Sequence, residues 1–99
     1  MLYAIMAKDV PNSQQLRAKT RDGHVAYLKK LVDLGRVVLA GPLPSIDSPE
    51  PGPAGMSGSL LVVEFDSLEE AQEWTANDPY RLQGVFAEVV VKPFIQTVP

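Results

Sequence analysis

Apolar residues along this chain fall into four short runs and two longer segments with helical spacing. Leu2 to Ala7 is apolar on both faces and reads as a strand, stopped by Asp9-Val10-Pro11-Asn12-Ser13. A helix is predicted from Ser13 or Gln14 to Leu34, with Gly35 as its C-terminal stop. Arg36 to Leu43 is a second strand, rich in Val and Leu. From Pro44 to Ser57 the chain carries Pro44, Pro49, Pro51 and Pro53 with Gly52 and Gly55, the composition of a loop. Gly58 to Phe65 is a third strand. Ser67-Leu68-Glu69-Glu70 is a capping box that opens a second helix running to Ala76 or Asn77. Asp78-Pro79-Tyr80 restarts a short helical turn, because Asp caps well and Pro suits the first helical position. Gly84 to Ile95 is the last strand.

The order strand, helix, strand, strand, helix, strand is the split β-α-β unit used twice. It predicts an α+β, ferredoxin-like βαββαβ fold in one domain, residues 1–99. Four antiparallel strands form the sheet, with both helices on one face. Such a sheet ordinarily leaves its other face polar. Here Leu61, Val63 and Phe65 alternate with Leu60 and Val62, and Val89 and Val91 alternate with Val90 and Phe94. Both faces are apolar, so a second copy of the sheet in a two-fold dimer is expected to cover the outer one.

Composition narrows the function classes. With 99 residues, 45% of them hydrophobic and 21% charged, the chain is an ordinary globular domain. A net charge of −3 gives no general pull towards nucleic acid. No stretch approaches the roughly 18–20 apolar residues of a membrane span. The apolar start, Met1 to Ala7, lacks a preceding positive region, which argues against a signal peptide. Zero cysteines exclude thiol catalysis and fit a cytoplasmic protein. With a single histidine as well, no zinc or copper site is expected. No glycine-rich phosphate loop, dinucleotide fingerprint or serine elbow is present, so no cofactor is expected.

The first helix breaks its own pattern. Taking His24 as zero and about 100° per residue, Arg17 falls near 20° and Arg21 near 60°, among Leu28 and Leu31. Asp22, Lys29 and Asp33 occupy the opposite, solvated face. Three ionisable groups on the inward side mark this stripe as a place to look for chemistry.

Arg21-Asp22-Gly23-His24-Val25-Ala26-Tyr27-Leu28, Gly35, Ala40-Gly41-Pro42-Leu43 and Gly58 recur in a known order. So do Glu69-Glu70-Ala71, Asn77-Asp78-Pro79-Tyr80 and Val91-Lys92-Pro93-Phe94. Together they resemble the YCII-related (YciI-like) family across almost the whole chain. The resemblance implies a subunit that pairs into a dimeric α+β barrel. It also implies an active site built on His24 and Asp78, with lyase or dehydrohalogenase-like chemistry in some branches. Val25 stands where Leu is more usual.

A carboxylate on one imidazole nitrogen fixes the tautomer and leaves the other nitrogen as a base or acid. His24 is equally readable as a core-edge histidine bonded to a backbone carbonyl, and a helix cap alone accounts for Asp78. The two roles of Asp78 are compatible, one oxygen capping while the other faces His24. Arg17 and Arg21 supply a positive wall for a carboxylate or phenolate, or else snorkel to water or pair with Asp9 or Asp22. Tyr80 lines the pocket or is an aromatic anchor. Ser57 is a candidate hydrogen-bonding residue for a ligand. Trp74 and Phe86 read as core. Two functions are expected: a cofactor-free acid–base enzyme acting on a small anionic, aromatic substrate, or a dimeric small-molecule-binding or sensing module.

Overall fold

A computed structural model describes the whole chain, residues 1–99. Its elements run β1 (Leu2–Asp9), α1 (Gln14–Asp33), β2 (Val37–Pro44), β3 (Met56–Glu64), α2 (Leu68–Ala76), α3 (Pro79–Leu82) and β4 (Phe86–Phe94). The sheet order is β2-β3-β1-β4 with every neighbouring pair antiparallel, the ferredoxin-like α+β arrangement.

Alternation along β1 builds the core. Tyr3, Ile5 and Ala7 are buried, and in register they meet Val63, Leu61 and Ser59 of β3. With Phe65, Leu31 and Ala71 these residues form the main apolar cluster between sheet and helices. A smaller cluster of Ala7, Tyr80, Val85 and Phe86 sits beneath α3. The second set from β1, Ala4 and Met6, faces away from the helices. There it joins Leu39, Leu43, Val90 and Phe94, all exposed, on an open apolar face.

Helix ends follow local chemistry. The Ser67 hydroxyl accepts from the Glu70 amide at 3.0 Å, and a Glu70 carboxylate oxygen accepts from the Asp66 amide at 3.0 Å. Gly35, at φ +71°, donates to the Val32 carbonyl while Arg36 donates to Leu31, closing α1 with a Schellman turn. Ser13, at the N-cap position of α1, makes no side-chain cap: its hydroxyl donates to Asp9 at 2.6 Å rather than accepting from the helix amides.

Several strand limits differ from the sequence reading. β1 continues to Asp9, which pairs with Phe86 across a bulge after Lys8. β4 starts at Phe86 rather than Gly84, because the Val85 amide still donates to Tyr80 and closes α3. β3 begins at Met56, so Ser57 belongs to the strand. The remaining loop, residues 45–55, contains a short 3-10 turn at Gly52–Ala54.

Candidate active site

A cavity of about 200 Å³ opens between the inward stripe of α1 and the β2–β3 edge of the sheet. Arg17, Arg21 and His24 line it from α1, Ser59 and Leu61 from β3, and Tyr80 from α3. Ala40, Gly41 and Pro42 of β2 form its small-residue wall. The helical phase that sets Arg17, Arg21 and His24 on one stripe therefore delivers all three to the same space.

His24 meets Asp78 as follows. Nδ1 lies 2.8 Å from Oδ1 and 3.1 Å from Oδ2 of Asp78, whose side chain is almost wholly buried. Oδ1 also accepts from the Tyr80 amide at 2.9 Å, so Asp78 is at once the N-cap of α3 and the partner of the imidazole. Pro79 occupies the first helical position of α3. With the anion at Nδ1, the neutral imidazole carries its proton on Nδ1 and leaves Nε2 as an acceptor. No buried side-chain nitrogen or oxygen in the chain lacks a hydrogen-bond partner. Nε2 has no partner in the protein, so it is open to solvent.

Tyr80 fixes the ring orientation. Its phenol stacks on the His24 imidazole with centroids 4.0 Å apart and planes 10° from parallel. The Arg17 guanidinium carbon stands 5.0 Å from the same phenol centroid. Residues 17 and 24 are two helical turns apart, about 10.5 Å, so the phenol fills the gap between them. Burial pushes the Tyr80 hydroxyl above its usual range, while the Arg17 and Arg21 charges pull the other way.

The two arginines separate. Arg17 donates through Nε and Nη2 to the two oxygens of Asp9, and through Nη2 to the Gly58 carbonyl at 2.8 Å and the Ser59 hydroxyl at 2.9 Å. The Asp9 side chain is 1% exposed and Arg17 12%, so this is a largely buried pair, bonded through Nε and Nη2, that ties α1 to β1 and β3. Arg21 makes no ion pair.

Ser57 is not in the cavity. The early start of β3 places it in a separate cleft near Gln14 and Ser45, where its hydroxyl donates to the Leu43 carbonyl at 3.3 Å. Ser59 stands in the cavity instead. Sequence held a signal for it: Ser59 is the polar member of the inward set Ser59, Leu61, Val63, Phe65. Phe86 is buried, and Trp74 is partly buried, stacked on Tyr27 at 4.8 Å. No three His, Cys, Asp or Glu side chains come together as metal ligands, and no helix is long and apolar enough to cross a membrane.

A family model for the YCII-related domain matches residues 1–95. The chain belongs to the YCII-related family. Its relatives include protein YciI of Escherichia coli, 49% identical over 94 residues, which are 95% of this chain and 96% of the relative. A second is the derivative of benzaldehyde biosynthesis cluster protein C of Emericella nidulans, 30% identical over 86 residues, 84% of this chain and 88% of the relative. Among solved structures, 5-chloro-2-hydroxyhydroquinone dehydrochlorinase (TftG) from Burkholderia phenoliruptrix, in complex with 2,5-dihydroxybenzoquinone, is similar to this YCII-related chain. It matches with a TM-score of 0.84 and 32% identity over 96% of this chain and 94% of that one.

Proposed function

We propose that this cavity is the active site of a cofactor-free acid–base enzyme, a lyase or isomerase with dehydrohalogenase-like chemistry on a small anionic ring compound. One observation carries the reading: His24 is held at Nδ1 by a buried carboxylate at 2.8 Å while Nε2 has no protein partner. That is the arrangement a general base needs, with orientation and tautomer set and the reactive nitrogen free. In the reaction, Nε2 takes a proton from the substrate. The electron pair left behind moves into the ring and halide departs with its bonding pair, or the proton returns at another carbon in an isomerisation. Imidazolium formed at His24 is stabilised by Asp78 throughout. Similarity to TftG, a dehydrochlorinase, supports the halide case.

The size of the cavity, about 200 Å³, suits one substituted ring, since about 150 Å³ accommodates benzene. The assembled form is a two-fold dimer closed over the open sheet face, which would cover Met6, Leu39, Val90 and Phe94.

The test is chloride release from 5-chloro-2-hydroxyhydroquinone and a panel of halogenated phenols, measured under anaerobic conditions. His24→Gln is expected to lower turnover by roughly 10²–10⁴-fold. Unchanged turnover in that variant would overturn the assignment. A second reading, a small-molecule-binding module without chemistry, is favoured by the fact that Asp78 also caps α3, a structural role that needs no catalysis. It predicts that His24→Gln retains ligand affinity and that the parent protein turns nothing over.

A further inference from the structure

Most of the cavity wall is committed to the fold. Leu28 packs on the main apolar cluster, to which Leu61 belongs, and Tyr80 is part of the smaller cluster beneath α3. Arg17 donates to Ser59, and His24 is paired with Asp78. Ala40 stands apart: it lines the cavity, is exposed, and belongs to neither cluster. Its register with Leu61 puts its side chain on the helix-facing side of the sheet, whereas Gly41 pairs with Leu60 and takes the parity of the outer face. Val37 and Val38 suit a strand, but alanine is depleted in strands, so strand propensity does not account for position 40. A larger side chain there would stand in the space that Ala40 leaves open.

Resting on the reading of this cavity as a site for one substituted ring, we propose that Ala40 is its size-determining residue. The side-chain volume at position 40 sets how large a substituent the ring carries on the edge turned towards β2. About 200 Å³ exceeds the roughly 150 Å³ that accommodates benzene by the room for one small group. The site therefore selects single rings bearing a substituent of methyl or chloro size over those bearing branched alkyl groups. The opposite wall does not yield, because His24, Arg17 and Tyr80 are held by their hydrogen bonds and by the ring stack.

Dissociation constants of phenol, 4-methylphenol, 4-isopropylphenol and 4-tert-butylphenol, read from the ring signals of the single histidine by NMR, test this without requiring turnover. The parent is expected to bind 4-methylphenol at least as tightly as phenol and to reject 4-tert-butylphenol by roughly tenfold or more, the scale of methylene-sized differences in an apolar pocket. In Ala40→Val and further in Ala40→Leu the limit moves down, so that 4-methylphenol weakens by roughly tenfold while phenol changes by less than about threefold. Ala40→Gly moves the limit up, and Ala40→Ser, close to alanine in volume, keeps the parent profile. Ala40 is exposed and packs in neither cluster, so these variants are expected to melt as the parent does. An equal loss across all the phenols in Ala40→Leu, or a serine variant that behaves as the leucine variant does, would overturn the proposal. Phenols that bind with a profile indifferent to position 40 remove Ala40 as the gauge and leave the cavity a ring site. A parent that binds none of them removes both.

Discussion

At the scale of single residues, Asp78 carries two tasks with one carboxylate, and substitution separates them. Asparagine caps helices about as well as aspartate, so Asp78→Asn is expected to keep α3 folded. With its carbonyl oxygen on the Tyr80 amide, the asparagine turns its NH₂ towards Nδ1 and drives the imidazole proton to Nε2. Turnover should then fall at least about tenfold, with KM changed by less than about threefold, because orientation of the base matters most in the transition state. Steady-state kinetics of the variant check this. Tyr80 gives a pH dependence of stability. Burial raises its proton affinity in the folded state, so above about pH 10 the unfolded chain loses a proton that the native chain keeps. Stability is present below that pH and is lost as pH rises through the folded pKa. Tyr27, raised by burial and then by the Asp78 charge, acts in the same sense, so Tyr80→Phe is expected to remove only part of the alkaline slope in thermal melts. Positions 17, 21 and 24 were legible in the sequence because helical phase alone brings them together. Arg17's pairing with Asp9 was an open alternative there. Ser59 shares the inward parity of Leu61, Val63 and Phe65 and was legible in that sense, but the exclusion of Ser57 was not, because it depends on how far along β3 the cavity reaches.

At the scale of elements, close approach sets the requirement for glycine. A Cβ on Gly58 would lie 2.0 Å from the Ala7 carbonyl oxygen, and the Gly58 carbonyl itself accepts from Arg17. Gly58→Ala therefore forces β1 and β3 apart beside the cavity. A loss of about 1–3 kcal/mol or more in chemical denaturation is expected, whereas Ser67→Ala, far from the site, should cost only about 1 kcal/mol through its cap. A Gly58→Ala protein as stable as the parent would contradict the register described. Helix limits were readable because the Ser67 box and Gly35 are local signals, satisfied within four residues. Strand limits slipped by about two residues for the opposite reason: Asp9 and Met56 are assigned by partners distant in sequence, and a bulge at Lys8/Asp9 shifts the register.

At the scale of the whole molecule, the exposed apolar face of the sheet is the feature a single subunit leaves unresolved. Met6 is 42% exposed and Val90 46%, near the middle of that face. Burying this surface in a dimer gains roughly 25 cal/mol per Å², and a charge at its centre opposes that gain. The parent is expected to sediment as a dimer, and Met6→Glu or Val90→Glu as a monomer that remains folded. A monomeric parent would remove the dimer from the account while leaving the cavity intact. In the subunit itself, Asp78 presents His24 as a base with Nε2 bare. One measurement addresses it directly: the tautomer of the single histidine, read by long-range ¹H–¹⁵N NMR at a pH where the ring is neutral, in the parent and in Asp78→Asn. A proton on Nδ1 is expected in the parent, with its transfer to Nε2 in the variant. A parent already protonated at Nε2, or the same tautomer in both proteins, would contradict it.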